Sequence, residues 1–134
     1  MKTIKNVILS LVLMFLVAAC TLTTKFPISS VTPGAEITAN VKLDKSNNHV
    51  ISVTANHLAS AERLTPPKNT YVVWITTSDN GVKNIGQLKS KNNKTATLET
   101  LTSFNPVEIF ITAEDKGDVS YPSGIEISRA TIKK

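Results

Sequence analysis

The sequence predicts an all-β domain, a sandwich of about seven short antiparallel strands. Three observations lead there. From Ala35 onward apolar and polar residues alternate with period two, the pattern of half-buried strands. Turn residues interrupt the alternation at roughly 8–12-residue spacing, as in two-sheet β domains. No stretch of residues 35–134 sustains the 3.6-residue apolar period of a helix.

The chain opens differently. Lys2 and Lys5 precede an apolar run from Val7 to Val17, and Ala18, Ala19 and Cys20 follow. A charged start, a short apolar core and a small-residue exit predict a signal peptide helix over residues 1–19. The run is too short for a stable span of a hydrocarbon core ~30 Å thick. The competing reading is an N-terminal anchor that is never cleaved. Residues 20–34 hold Pro27 and Pro33 among serines and threonines without periodicity, so a flexible tether is expected, with Phe26 and Ile28 free to dock on the domain or on lipid. The β domain then covers residues 35–134.

Its strands follow in order. Ile37, Ala39, Val41 and Leu43 alternate with polar neighbours and make the first. Asp44-Lys45-Ser46-Asn47-Asn48 is turn chemistry, and Ile51, Val53 and Ala55 make the returning strand of a hairpin. Pro66-Pro67 bars both a helix interior and a central strand from the segment around it. Thr70–Thr77 (TYVVWITT) is the strongest strand, rich in β-branched and aromatic residues. After the turn Asp79-Asn80-Gly81 come shorter candidates at Ile85–Lys89 and Thr95–Leu101. Val107, Ile109 and Ile111 mark the next strand, and Ile125, Ile127, Ala130 and Ile132 the last. The strand number and a domain of about 100 residues fit an immunoglobulin-like sandwich without its inter-sheet disulfide.

Composition excludes several classes. A length of 134 residues suits one domain, and 41% hydrophobic residues exclude disorder throughout. One Cys excludes a disulfide framework. The net charge of +5 includes Lys2 and Lys5 of the leader, and the rest is spread among Thr and Asn, so no nucleic-acid partner is implied.

Val17-Ala18-Ala19-Cys20 resembles the lipobox of bacterial lipoproteins. The resemblance implies that Cys20 is lipidated and becomes the first residue of the mature chain, held at a membrane through its acyl groups. Thr21 in place of Asp implies the outer membrane facing the periplasm in a diderm cell, and otherwise the outer face of the cell membrane. A second resemblance runs from Val50 to Ile127. Tyr71-Val72-Val73-Trp74, Gly86-Gln87-Leu88, Thr97-Leu98, Thr112-Ala113-Glu114, Gly117 and Pro122-Ser123-Gly124 occur in that order. The series is similar to the extracytoplasmic C-terminal domain of anti-sigma-K factors. Members of that family carry a cytoplasmic sigma-binding domain and a membrane helix before this module. Here a lipoprotein leader stands instead, so direct sigma-factor binding does not carry over.

No catalytic residues, metal ligands or cofactor are expected. His49 and His57 lie eight residues apart on one strand, about 26 Å at ~3.3 Å per residue, too far to share an ion. Glu114-Asp115-Lys116-Gly117-Asp118 lacks the spacing of a calcium loop, and Lys116 opposes a cation, so it reads as a solvated hairpin loop. There is no G-x-S-x-G, no H-E-x-x-H and no P-loop. The sharper candidate is a partner surface. TYVVWITT is apolar on both faces, and Phe110 lies opposite Val107, Ile109 and Ile111 on its strand. With Tyr71, an outward Trp74 and Phe110 would form a recognition patch for an envelope protein or glycan. The alternative places Trp74 in the core, as in immunoglobulin folds. The expected function is a non-enzymatic binding, structural or sensing module. The rivals are an accessory hydrolase or carbohydrate-processing factor using His49 or His57, and an assembly subunit that offers an edge strand.

Overall fold

The structure, a computed structural model, describes residues 20–133, so the leader expected over residues 1–19 lies outside the described residues. The described chain is all-β, without an α-helix. Its strands are β1 (Thr21–Lys25), β2 (Glu36–Leu43), β3 (His49–Asn56), β4 (Thr70–Thr77), β5 (Val82–Gln87), β6 (Lys89–Ser90), β7 (Thr95–Thr102), β8 (Pro106–Glu114) and β9 (Ile125–Thr131). One 3₁₀ turn, Ala61–Arg63, interrupts the β3–β4 connection.

Two antiparallel sheets result, ordered β1-β2-β3-β7-β6 and β5-β4-β8-β9. Alternation sets the register: Ile37, Ala39 and Val41 pair with Ala55, Val53 and Ile51, so their side chains share one face. That face meets Tyr71, Val73 and Ile75 of β4 and Ile109, Ile111 and Ala113 of β8 in one apolar core between the sheets. Asn47 and Asn80 close the β2–β3 and β4–β5 turns at positive φ (61° and 64°), a conformation asparagine tolerates better than most residues.

Two expectations are corrected. The segment read as a flexible tether is structured: β1 lies in it and pairs with β2 from Thr21 opposite Lys42 to Lys25 opposite Thr38. Beyond β1, Phe26 is buried in the core and its N–H donates to the Ile37 carbonyl (2.9 Å). Ser29 Oγ accepts the Val31 and Thr32 amides, and Ser128 Oγ donates to the Pro27 carbonyl, fastening the segment to β9 of the opposite sheet. Burial of Phe26 and Leu22 outweighs the turn-like composition, because an aromatic ring taken out of water outweighs weak local preferences. Ile28 remains exposed.

The candidate strand Ile85–Lys89 is also divided. β5 belongs to one sheet and β6 to the other, and the chain changes sheet at Leu88, whose N–H donates to the Tyr71 carbonyl (3.0 Å). A bulge opposite Val73 and Trp74 and a positive φ at Gly86 (134°) start this departure. Leu88 then enters the core.

Candidate functional site

The second face of β4 is where the sequence placed its sharpest candidate. Trp74 and Phe110 are paired across β4 and β8 and project from the outer side of that sheet, away from the core between the sheets. They are not exposed there. Trp74 is 0% and Phe110 2% accessible, so neither offers a surface to a partner. With Val72 they form a second, smaller core, against which Val119 packs. The two rings stack at 6.1 Å between centroids with 13° between their planes.

The covering element is the β8–β9 connection, Asp115–Gly124. Asn84 of β5 holds one side of it, its Nδ2 donating to the carbonyls of Gly117 and Val119 (both 2.9 Å). Glu114 holds the other. Its carboxylate accepts the amides of Ser123 and Gly124 (both 3.1 Å) and the Ser123 hydroxyl (3.1 Å). It also accepts the Thr112 hydroxyl (2.7 Å), and Thr112 Oγ1 in turn accepts the Trp74 Nε1–H (2.8 Å). A continuous chain of hydrogen bonds therefore links the buried indole to the far end of the loop. Burial alone would push the Glu114 carboxyl up. The hydrogen bonds from Thr112, Gly124 and Ser123 outweigh it and hold the group below its ordinary value.

The acidic stretch read as a solvated loop is corrected at its first residue: Glu114 is 2% accessible and serves as an internal anchor. Arg129 of β9 closes the third side. Its guanidinium lies 3.9 Å from the Phe110 centroid and pairs with Glu126 and Glu108. Such a cation over a ring face adds roughly 0.5–1 kcal/mol where water still reaches it.

Tyr71 is likewise buried, on the side between the sheets, and its hydroxyl donates to the Ala59 carbonyl (2.6 Å). Burial pushes its pKa up to about 12. The ring borders an open groove of ≈ 670 Å³ between the β3–β4 connection and the β6–β7 turn, where Arg63, Lys94 and Asn69 supply polar walls. His49 and His57 flank opposite ends of β3, and neither lines this groove. Among the described residues no three His, Cys, Asp or Glu side chains gather to hold a metal ion.

The glycines explain why the loop closes so tightly. A Cβ on Gly124 would stand 1.8 Å from the Ala113 carbonyl oxygen, which is backbone and cannot move aside cheaply. Gly124→Ala is therefore expected to destabilise the domain by ~1–3 kcal/mol, the range of overpacked sites. Gly34, with nothing within 4 Å of such a Cβ, is the control, and Gly34→Ala should change stability by less than about 1 kcal/mol. Urea denaturation of both variants checks the pair.

Compared with known protein families, curated proteins and solved structures, the chain matches none.

Proposed function

We propose that this protein is a lipid-anchored lipoprotein of the bacterial envelope whose immunoglobulin-like sandwich acts as a non-enzymatic binding or structural module. The observation that carries the reading is the position of Cys20. It ends the apolar leader, and the next residue, Thr21, already begins β1. Processing before Cys20 would thus leave the folded domain whole and its first residue at the foot of a strand.

Strand order supports the immunoglobulin-like type. With β1 set aside, β2-β3-β7-β6 faces β5-β4-β8-β9. In chain order these correspond to strands A, B, E and D opposite C′, C, F and G. The departure is Trp74, which occupies the outer face of the strand in position C. The likeness to the anti-sigma-K factor C-terminal domain gains support from packing. Trp74, Thr112, Glu114, Gly117, Ser123 and Gly124, scattered in the chain, meet around one loop. On this reading the shared residues hold the module together, and the ligand differs from protein to protein.

Intact mass of the membrane-extracted protein tests the anchor. A chain beginning at Cys20 and carrying diacylglyceryl and acyl groups is expected, and Cys20→Ala should abolish the modification. An unmodified mass, or a chain that keeps residues 1–19, overturns it.

A further inference from the structure

The end of the sandwich at which β1 begins has an unusual surface. Thr21 pairs with Lys42, so Leu43 and the Asp44–Asn48 turn lie beside the start of the described chain. Leu43 pairs with His49, and His49 with Thr102, which brings Leu101 and the Ser103–Asn105 turn to the same end. Pro106 pairs with Thr77, which adds the Ser78–Gly81 turn and Val82. Ile132 donates its N–H to the Val107 carbonyl, so Lys133 emerges here too.

Four large apolar side chains stand in water at this end: Leu43 (54% exposed), Leu101 (56%), Phe104 (46%) and Val82 (40%). The cations Lys42, Lys45, Lys83 and Lys133 accompany them, with Lys83 Nζ 4.9 Å from the Phe104 ring centroid. Three acids share the end, and all are engaged: Glu108, level with Val82 across Thr76, pairs with Arg129 of β9, and the other two sit in turns. Asp44 Oδ1 accepts the Ser46 and Asn48 amides, and Asp79 accepts the Thr77 hydroxyl.

We propose that this end docks on an anionic bilayer surface. Leu43, Val82, Leu101 and Phe104 enter the headgroup region, and Lys42, Lys45, Lys83 and Lys133 meet the lipid phosphates. Apolar side chains with lysines around them suit that interface, where the stems bury and the ammonium groups stay at the headgroups. The chain supplies a second argument. The apolar run Val7–Val17 ends three residues before Cys20, and one residue of extended chain spans only ~3.6 Å. Whatever holds the N-terminal side in lipid therefore presents this end to it, with no slack for the domain to tumble. The proposal uses the lipoprotein reading for its tether and adds an orientation and a lipid class.

The test places an environment-sensitive fluorophore at Ser103→Cys, an exposed position that leaves Phe104 intact, and in a separate chain at Ile28→Cys, in the β1–β2 connection at the opposite end. Full-length protein is reconstituted in phosphatidylcholine vesicles with and without phosphatidylglycerol, and its intact mass is taken from the same sample. With phosphatidylglycerol the label at 103 should shift to shorter wavelength and be quenched by lipid-borne nitroxide, while the label at 28 should stay water-like. Replacing Lys42, Lys45 and Lys83 by Gln leaves the tether in place and should lower the docking equilibrium roughly hundredfold, each lost cation being worth about fivefold. A water-like label at 103 on a chain of acylated mass overturns docking and leaves the anchor standing. An unacylated mass overturns the anchor. The label is then read on full-length Cys20→Ser, tethered at the same end by residues 1–19: the same shift supports docking, and its absence overturns it.

Discussion

Trp74→Ala is expected to cost ~3–5 kcal/mol, the range of buried aromatic truncations, and to lower the melting temperature by roughly 15 °C or more. Total stabilities of such domains are ~5–15 kcal/mol, so the variant approaches the limit of folding. The effect has three parts. Removing the indole opens a cavity between the sheet and the β8–β9 loop, because the backbone on both sides is held by hydrogen bonds and cannot collapse into it. Phe110 loses its stacking partner, and Thr112 loses the donor that orients its hydroxyl toward Glu114. Trp74→Phe separates these parts. It keeps most of the apolar area and deletes the Nε1–H, so it should cost less than half as much. Urea denaturation followed by far-ultraviolet circular dichroism gives both values. Equal midpoints for Trp74→Ala and the parent would show that the aromatic pair does not act as a core and would restore the partner-patch reading.

The same residues show where sequence reasoning reached and where it stopped. Alternation located β2, β3, β4, β8 and β9, because each buries one face against a common core and must repeat with period two. It also showed that β4 is apolar on both faces. What covers the second face is a segment some forty residues downstream, and no local pattern announces that. Glu114 was hidden for the same reason. A carboxylate beside Asp115 and Lys116 looks solvated until the Ser123 and Gly124 amides are known to point at it. Trp74, Thr112-x-Glu114, Gly117 and Pro122-x-Gly124 stand in that order in the sequence, and only contact geometry shows that Trp74, Thr112, Glu114 and Gly124 meet at one loop. β1 was missed because Leu22 and Phe26 are isolated among threonines and Pro27, so its period is too short to rise above turn composition. The change of sheet at Leu88 was missed because Ile85–Lys89 (IGQLK) reads as one strand. Gly86 was its single marker.

Glu114 should carry the second large effect, and it should depend on pH. The folded carboxyl lies below its ordinary value, so the stability it contributes is fully present above the unfolded pKa, about 4.3. That contribution is lost as pH falls through the depressed folded value, since protonation removes the charge that three donors of the loop and Thr112 address. The parent should therefore lose stability steeply below about pH 4.5. Glu114→Gln removes this titration and should flatten that limb, while costing ~1–2 kcal/mol at neutral pH for the exchange of charged for neutral hydrogen bonds. Glu114→Ala goes further and leaves the Ser123 and Gly124 amides and the Thr112 hydroxyl without their acceptor, for which about 3 kcal/mol or more is expected. Because Thr112 bridges the two side chains, the costs of Trp74→Phe and Glu114→Gln should not add, and a double-mutant cycle should return a coupling of ~0.5 kcal/mol or more. Amide exchange at Ser123 and Gly124 gives a local reading of the same anchor. Both amides should exchange faster in Glu114→Gln, whereas those of β3, in the other sheet, should keep their protection relative to global unfolding. An acid limb in Glu114→Gln as steep as the parent's would mean that another group carries the pH dependence and that the loop is held by Asn84 and by packing on Trp74 rather than by the Glu114 charge.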